Sequence, residues 1–331
     1  WWAWMNFTWF ASAFDTDDVP YRITTMVQIA GGLVLAAGVP RAFEDDLSVV
    51  TWGYVVMRLA LVSQWTRVAF SDRSSRPAAL RFAVGVTLVQ IGWVLRLLLP
   101  PQLFLPGVLV LIAADLLVPV WAERAAPTSW HPEHIAERYG LFTIIVLGES
   151  VFASTASVRS GIRSGGEVGP LLLIAACGLV LVFALWWLYF GWPAAERLTS
   201  LPRGLVWGYG HYVIFSSAAA VGAGLEVAAD HELGRAHIGM RPAALTLTIP
   251  VALFLLSVWL LHIGPTHPAR SVAVAFPVAA LMVVLASVTP FAVELTAAVT
   301  AGLVVVVVVT RTARPSSEGL RRAGSRRPGQ R

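Results

Sequence analysis

The sequence predicts an all-α, polytopic membrane protein, a transmembrane helical bundle of about eleven spans in 331 residues. Three observations predict it. Hydrophobic residues make up 57% of the chain and charged residues only 13%, about half the charged share of a soluble domain and too little to coat a surface facing water. The apolar residues fall in long continuous runs. The remaining charges gather at the ends of those runs, with few exceptions.

A helix needs about 20 apolar residues to cross a hydrocarbon layer of ~30 Å. In chain order, such runs occupy 1–14, 22–39, 47–69, 79–99, 102–121, 139–158, 168–190, 203–225, 241–262, 270–289 and 291–310. Each is read as a helix, because every backbone N–H must find a partner inside lipid. The β-branched stretch Val304 to Val309 is included on the same ground. The first run is short and opens on Trp1-Trp2 with no charged flank and no signal-peptide order. An earlier span is therefore expected to precede it, bringing the whole protein to twelve. The expected organisation is a first transmembrane half at 1–121, a cytoplasmic connecting loop at 122–138, a second half at 139–310 and a disordered basic tail at 311–331.

WWAWMNFTWF at the start resembles LWWLYFGW at 185–192, and the following runs continue in step: 22–39 with 203–225, and 47–69 with 241–262. Only 139–158 is left over. The pattern suggests two copies of six spans in one orientation. Recurrent aromatic belts at membrane interfaces would produce the same tryptophans without any repeat.

The net charge of +5 belongs to the tail, where seven arginines face Glu318 alone. The body therefore carries no basic surface for nucleic acid. The tail could touch anionic lipid. With the tail in the cytoplasm, arginines at the span ends favour that side nine to five. The expected location is thus a bacterial plasma membrane, multi-pass, with the carboxyl terminus inside. Cys177 is the sole cysteine and sits in an apolar run, which excludes an intrachain disulfide and a cysteine metal cluster.

Charged groups inside the runs are the candidate functional residues, since burying them in hydrocarbon is costly without company. Glu149 lies about 15 Å into its span at 1.5 Å per residue. Thr143, Ser150, Ser154 and Ser157 fall on one polar stripe of this helix beside it. Proton or cation handling and a structural ion pair are both open to Glu149. Arg58, halfway along 47–69 with Thr51, Tyr54 and Trp65 on its face, needs an acid. Glu149 and Asp115 are the deep acids; estimated depth favours Glu149. Arg67, Arg96 and Glu294 lie near boundaries and could snorkel, and Arg96 and Glu294 could instead meet each other. His211 lies within 203–225, where a proton relay and ordinary packing compete. Gly204 and Gly208 have the GxxxG spacing of close helix contacts.

His131, His134 and Glu137 recur at i, i+3 and i+6 on a helix that Pro132 and Glu133 would start. The i+6 position drifts around the helix and no further ligand is apparent, so no metal is assigned. The acids Asp15, Asp17 and Asp18 read as a solvated turn, with cation coordination as the alternative. No cofactor motif, phosphate loop or catalytic constellation of an enzyme occurs.

WWAWMNFTWFASAFDTDD, PRAF at 40–43 and HIAERYGLFTIIVLGES together resemble the bacterial low temperature requirement A (LtrA) family over nearly the whole chain. That family commonly opens with an earlier span of the type ELFFDLVFVFA. The resemblance implies that this span would match 137–157, with Glu137 on the family's opening glutamate. It singles out His134, Glu137, Arg138, Gly148, Glu149, Ser150, Asp15 and Asp18, and implies a role during growth in the cold without naming a reaction. The expectation is a transporter or channel for a small solute or ion; the alternative is a non-transporting membrane-adaptation or scaffold protein.

Overall fold

In a computed structural model the chain is all-α, with eleven α-helices among the described residues, which are 1–163, 168–266 and 268–312. The helices are α1 (Trp2–Phe14), α2 (Val19–Ala42), α3 (Ser48–Ser71), α4 (Arg76–Arg96), α5 (Phe104–Glu123), α6 (Pro132–Arg163), α7 (Val168–Phe190), α8 (Leu201–Glu232), α9 (Met240–Val258), α10 (Arg270–Ala286) and α11 (Ala292–Thr312). Seven helical segments are long and apolar enough to cross a membrane: those of α2, α4, α5, α7, α8, α9 and α11. Helix α10 is apolar but shorter. The expected tail lies outside the described residues beyond Thr312.

Local signals set the helix starts. Asp18 caps α2, its carboxylate accepting the Tyr21 N–H at 2.9 Å. A proline stands in the first turn of α2, α4 and α8, where its missing N–H costs nothing. Helix α6 begins at Pro132 with Glu133 in its first turn, so 132–138 is helical.

The burial pattern of several helices is the reverse of a water-soluble one. Helix α5 buries Asp115, Val118 and Ala122 and exposes Leu105, Leu109, Val110 and Leu117. Helix α2 buries Tyr21, Gln28, Gly31 and Gly38 and exposes Met26, Ile29 and Leu33. Polar or small residues inside and large apolar residues outside leave far more exposed hydrocarbon than a soluble monomer tolerates. A lipid surround removes that cost.

The chain divides into two compact units, Trp1–Ile135 and Ala136–Arg331. In the first, α3 packs against α2, α4 and α1, and α4 against α5. Its core stacks Trp65 on Phe82 at 4.1 Å, with Phe10 edge-on to Trp65 at 4.9 Å. In the second, α9 packs against α8, α10 and α7, and α10 against α11, which returns to α7. Buried Phe254, Val258, Phe276 and Val283 fill its centre. Consecutive helices pack in chain order in both units, α2 to α5 in one and α8 to α11 in the other, and in the second unit α11 also closes on α7.

Glycines bring the closest pairs together. A Cβ on Gly53 of α3 would stand 2.5 Å from the Leu35 nitrogen of α2, and one on Gly224 of α8 would stand 2.7 Å from the Leu247 Cα of α9. Backbones this near exclude any side chain. The Gly204 and Gly208 pair singled out in the sequence is buried, but these contacts use other glycines.

Candidate functional site

The first unit contains a buried polar centre built from three neighbouring helices. Thr51, Tyr54 and Arg58 follow one another along a face of α3, and Gln90, Trp93 and Arg96 recur at i, i+3 and i+6 on α4. Asp115 enters from α5. The Arg58 Nη2 donates to Asp115 Oδ1 at 3.2 Å, and the side chains are 1% and 5% exposed. The Tyr54 hydroxyl and the Trp93 indole N–H donate to Asp115 Oδ2 at 3.2 and 3.0 Å. Three donors and one full positive charge offset the desolvation of this carboxylate.

This pairing corrects the depth argument, which favoured Glu149 as the partner of Arg58. Glu149 is exposed on α6 and makes no ion pair among the described residues. Depth along a span is an axial quantity only; the packing of α3 on α4 and α4 on α5 decides which acid comes within reach.

The arginine side of the centre is less satisfied than the acid side. Nε and Nη1 of Arg58, both amide atoms of Gln90 and Nε of Arg96 are buried without a hydrogen-bond partner among the described residues. Arg96, for which the sequence left open snorkelling or a meeting with Glu294, is 4% exposed and so does not snorkel. Its guanidinium lies 5.4 Å from the Trp93 ring centre and 5.0 Å from that of Phe104, and donates to the Thr51 hydroxyl at 3.4 Å. The two rings supply the attraction that water would give at a boundary. A cavity of about 560 Å³ opens beside Arg96, with Asp45 and Asp46 on its wall.

A further buried polar chain links α2 to α3. Gln28 donates to Gln64 at 3.0 Å, and Gln64 donates to the Thr24 hydroxyl at 2.9 Å.

The second unit holds an aromatic and histidine cluster. His211 of α8 is fully buried, with its Nδ1 2.7 Å from the Trp207 carbonyl and its Nε2 3.1 Å from the Tyr189 hydroxyl and 3.3 Å from the His262 Nε2. The carbonyl can only accept, so in the neutral ring Nδ1 carries the proton, and the single lone pair of Nε2 is shared between the Tyr189 hydroxyl and the His262 Nε2. A hydrogen bond between the two rings then requires His262 to donate through Nε2, which leaves its buried Nδ1 an acceptor without a partner among the described residues. His262 escaped the sequence reading because it closes the run 241–262; a π-helical turn at Trp259–Ile263 brings it inward. Arg197 and Trp207 line a nearby cavity of about 340 Å³.

The motif residues have separate placements. Ser150 is buried, its hydroxyl 3.4 Å from the Ala218 carbonyl, and Thr143 is buried and bonded to the Tyr139 carbonyl. The side chains of Ser154 and Ser157 lie outside the described residues. Gly148 is exposed, with open space around it. His134 and Glu137 are exposed and Arg138 is half-buried. The His131 and His134 rings stand edge-on at 5.3 Å, and among the described residues no group of three or more His, Cys, Asp or Glu is placed to hold a metal ion. Asp15 accepts the Asp17 N–H, Asp17 pairs with Arg22 at 2.8 Å, and Asp18 caps α2 and receives Arg67. Arg67 is therefore tied to the α1–α2 turn. Glu294 occupies the first turn of α11, where a carboxylate meets the helix dipole favourably.

The model of the family described as bacterial low temperature requirement A protein (LtrA) matches residues 1–313. The chain belongs to the LtrA family. It is accordingly a multi-pass helical membrane protein of a bacterial family. An uncharacterized protein of Rhizobium meliloti (strain 1021) is similar to this LtrA-family chain, at 26% identity over 256 residues, covering 71% of this chain and 61% of the relative. The chain thus spans less than two thirds of the length of that curated relative. No solved structure matches it.

Proposed function

We propose that this LtrA-family protein is a transporter or channel for a small solute or ion, used during growth in the cold, and that it is not an enzyme. The observation that carries the reading is the Arg58–Asp115 pair, buried among apolar helices while two guanidinium nitrogens of Arg58 have no hydrogen-bond partner among the described residues. A buried donor left unmade costs about 1–3 kcal/mol. A purely structural pair would be expected to close those bonds; water or a passing solute would satisfy them.

The chain-order packing shared by α2 to α5 and α8 to α11 supports an internal repeat, α1 to α5 corresponding to α7 to α11 with α6 left over. On that reading the whole protein has twelve spans in two copies of six, with its carboxyl terminus in the cytoplasm.

The alternative, a non-transporting membrane-adaptation protein, is favoured by one feature: both oxygens of Asp115 are already bonded, by Arg58, Tyr54 and Trp93. Flux measurements in proteoliposomes decide between them. Solid-supported-membrane electrophysiology and tracer uptake over a panel of inorganic ions and small organic solutes should give a signal that a folded Arg58→Met/Asp115→Leu variant lacks. Folded protein with no flux over the whole panel would leave the scaffold reading in place.

A further inference from the structure

The geometry points to a binding site for a small zwitterion of the amino-acid class, with an apolar side chain, in the first-unit cavity beside Arg96. It rests on the transport reading only for the use of the site; the binding chemistry follows from the cavity itself.

The cavity lies where the turn into α3, the end of α4 and the start of α5 meet. Its volume of about 560 Å³ suits a small molecule. Arg96 brings a positive charge that is more than nine-tenths buried. Its only hydrogen bond to a side chain is the long one to Thr51, its Nε has no acceptor, and no carboxylate forms an ion pair with it among the described residues. A guanidinium so placed lacks a counter-charge, and a carboxylate is the group its planar fork suits best.

The opposite sign is present on the same wall. Asp46 accepts the Ser48 N–H and hydroxyl and lies 3.8 Å from Arg41, yet its side chain stays 47% exposed. Asp45 beside it is exposed. A simple anion entering this cavity would answer Arg96 but meet two carboxylates. A simple cation would answer the carboxylates but meet the guanidinium. A molecule with a carboxylate and an ammonium group answers both. Leu97, Leu99 and Phe104 supply apolar wall for the remainder of the ligand.

Isothermal titration of the purified protein in detergent tests this with three probes of one shape: leucine, its decarboxylated analogue 3-methylbutylamine, and its deaminated analogue 4-methylpentanoate. Leucine should bind, and each singly charged analogue should bind at least about tenfold more weakly. Arg96→Gln should weaken leucine by a similar factor, while Arg96→Lys retains part of the affinity. Asp45→Asn with Asp46→Asn should shift preference toward 4-methylpentanoate, which keeps the test open if Arg96→Gln fails to fold. The site is overturned if folded wild-type protein gives no heat with leucine, if a singly charged analogue binds as tightly, or if the Arg96 and aspartate variants bind all three probes unchanged. Binding without flux would sink the transport reading alone, and flux without leucine binding would sink this assignment alone.

Discussion

Arg58 and Asp115 meet at 3.2 Å in the interior of the first unit, on helices α3 and α5 that do not adjoin in sequence. Their charges stabilise each other only as a pair. Asp115→Leu leaves the guanidinium uncompensated in a low-dielectric interior, which costs about 3–5 kcal/mol. The Arg58→Met/Asp115→Leu double variant removes both charges and should recover most of that loss. Thermal unfolding in detergent should therefore show a marked drop for either single variant and a near-wild-type midpoint for the double. Equal losses in all three would mean that the pair does not carry the stability of this site.

The charge imbalance of this centre was legible in the sequence, because an arginine at mid-span demands an acid and only Asp115 and Glu149 lay deep enough. Which acid it meets was not, since hydropathy gives depth along a helix and says nothing of which helices touch. The inward course of Arg96 was missed for a related reason. An arginine near a span end can reach water, and only the placement of Trp93 and Phe104 around it makes the interior competitive. The glycine contacts lay hidden because a chain with 27 glycines offers many spacings, and which of them face a neighbouring backbone is a matter of helix rotation.

The histidine cluster makes an asymmetric prediction. His211 accepts from Tyr189 and His262 and donates to the Trp207 carbonyl. His211→Leu orphans the His262 N–H, at about 1–3 kcal/mol, and leaves the Tyr189 hydroxyl with Thr143 as its remaining side-chain partner. His262→Leu leaves His211 satisfied by Tyr189 and removes a buried nitrogen that has no partner. The unfolding midpoint should fall clearly for the first variant and stay level or rise for the second. The reverse order would refute the tautomer assigned to His211.

Close helix contact through glycine predicts a matched pair of substitutions. Gly53→Ala places a methyl group 2.5 Å from the Leu35 nitrogen and 2.8 Å from its Cα. Backbone cannot yield as a flexible side chain does, so α2 and α3 must separate, at about 1–3 kcal/mol. Gly302→Ala meets nothing within 4 Å and should be neutral or stabilising, because alanine is the better helix former by about 1 kcal/mol. Comparing yields of monodisperse protein and melting midpoints checks both; a harmless Gly53→Ala would show that the two helices are farther apart than described.

The turn between α3 and α4 gives the protein an acid-sensitive tie outside the spans. Asp72 accepts the Ser74 hydroxyl and N–H at 2.6 and 2.9 Å, and these bonds, led by the hydroxyl and joined by Ser75, lower its carboxyl to about 2. Asp18 is lowered as well, first by the Tyr21 N–H and then by Arg67. A carboxyl depressed in the folded state adds stability that is fully present above its unfolded value near 3.8 and is lost as the pH falls through its folded value. Melting midpoints should therefore be insensitive to these groups above about pH 5 and decline between about pH 4 and pH 2. Asp72→Asn should flatten that acid branch and lower the midpoint at neutral pH, where the ionised acceptor is missing. An unchanged branch in Asp72→Asn would show that this turn does not contribute to acid unfolding.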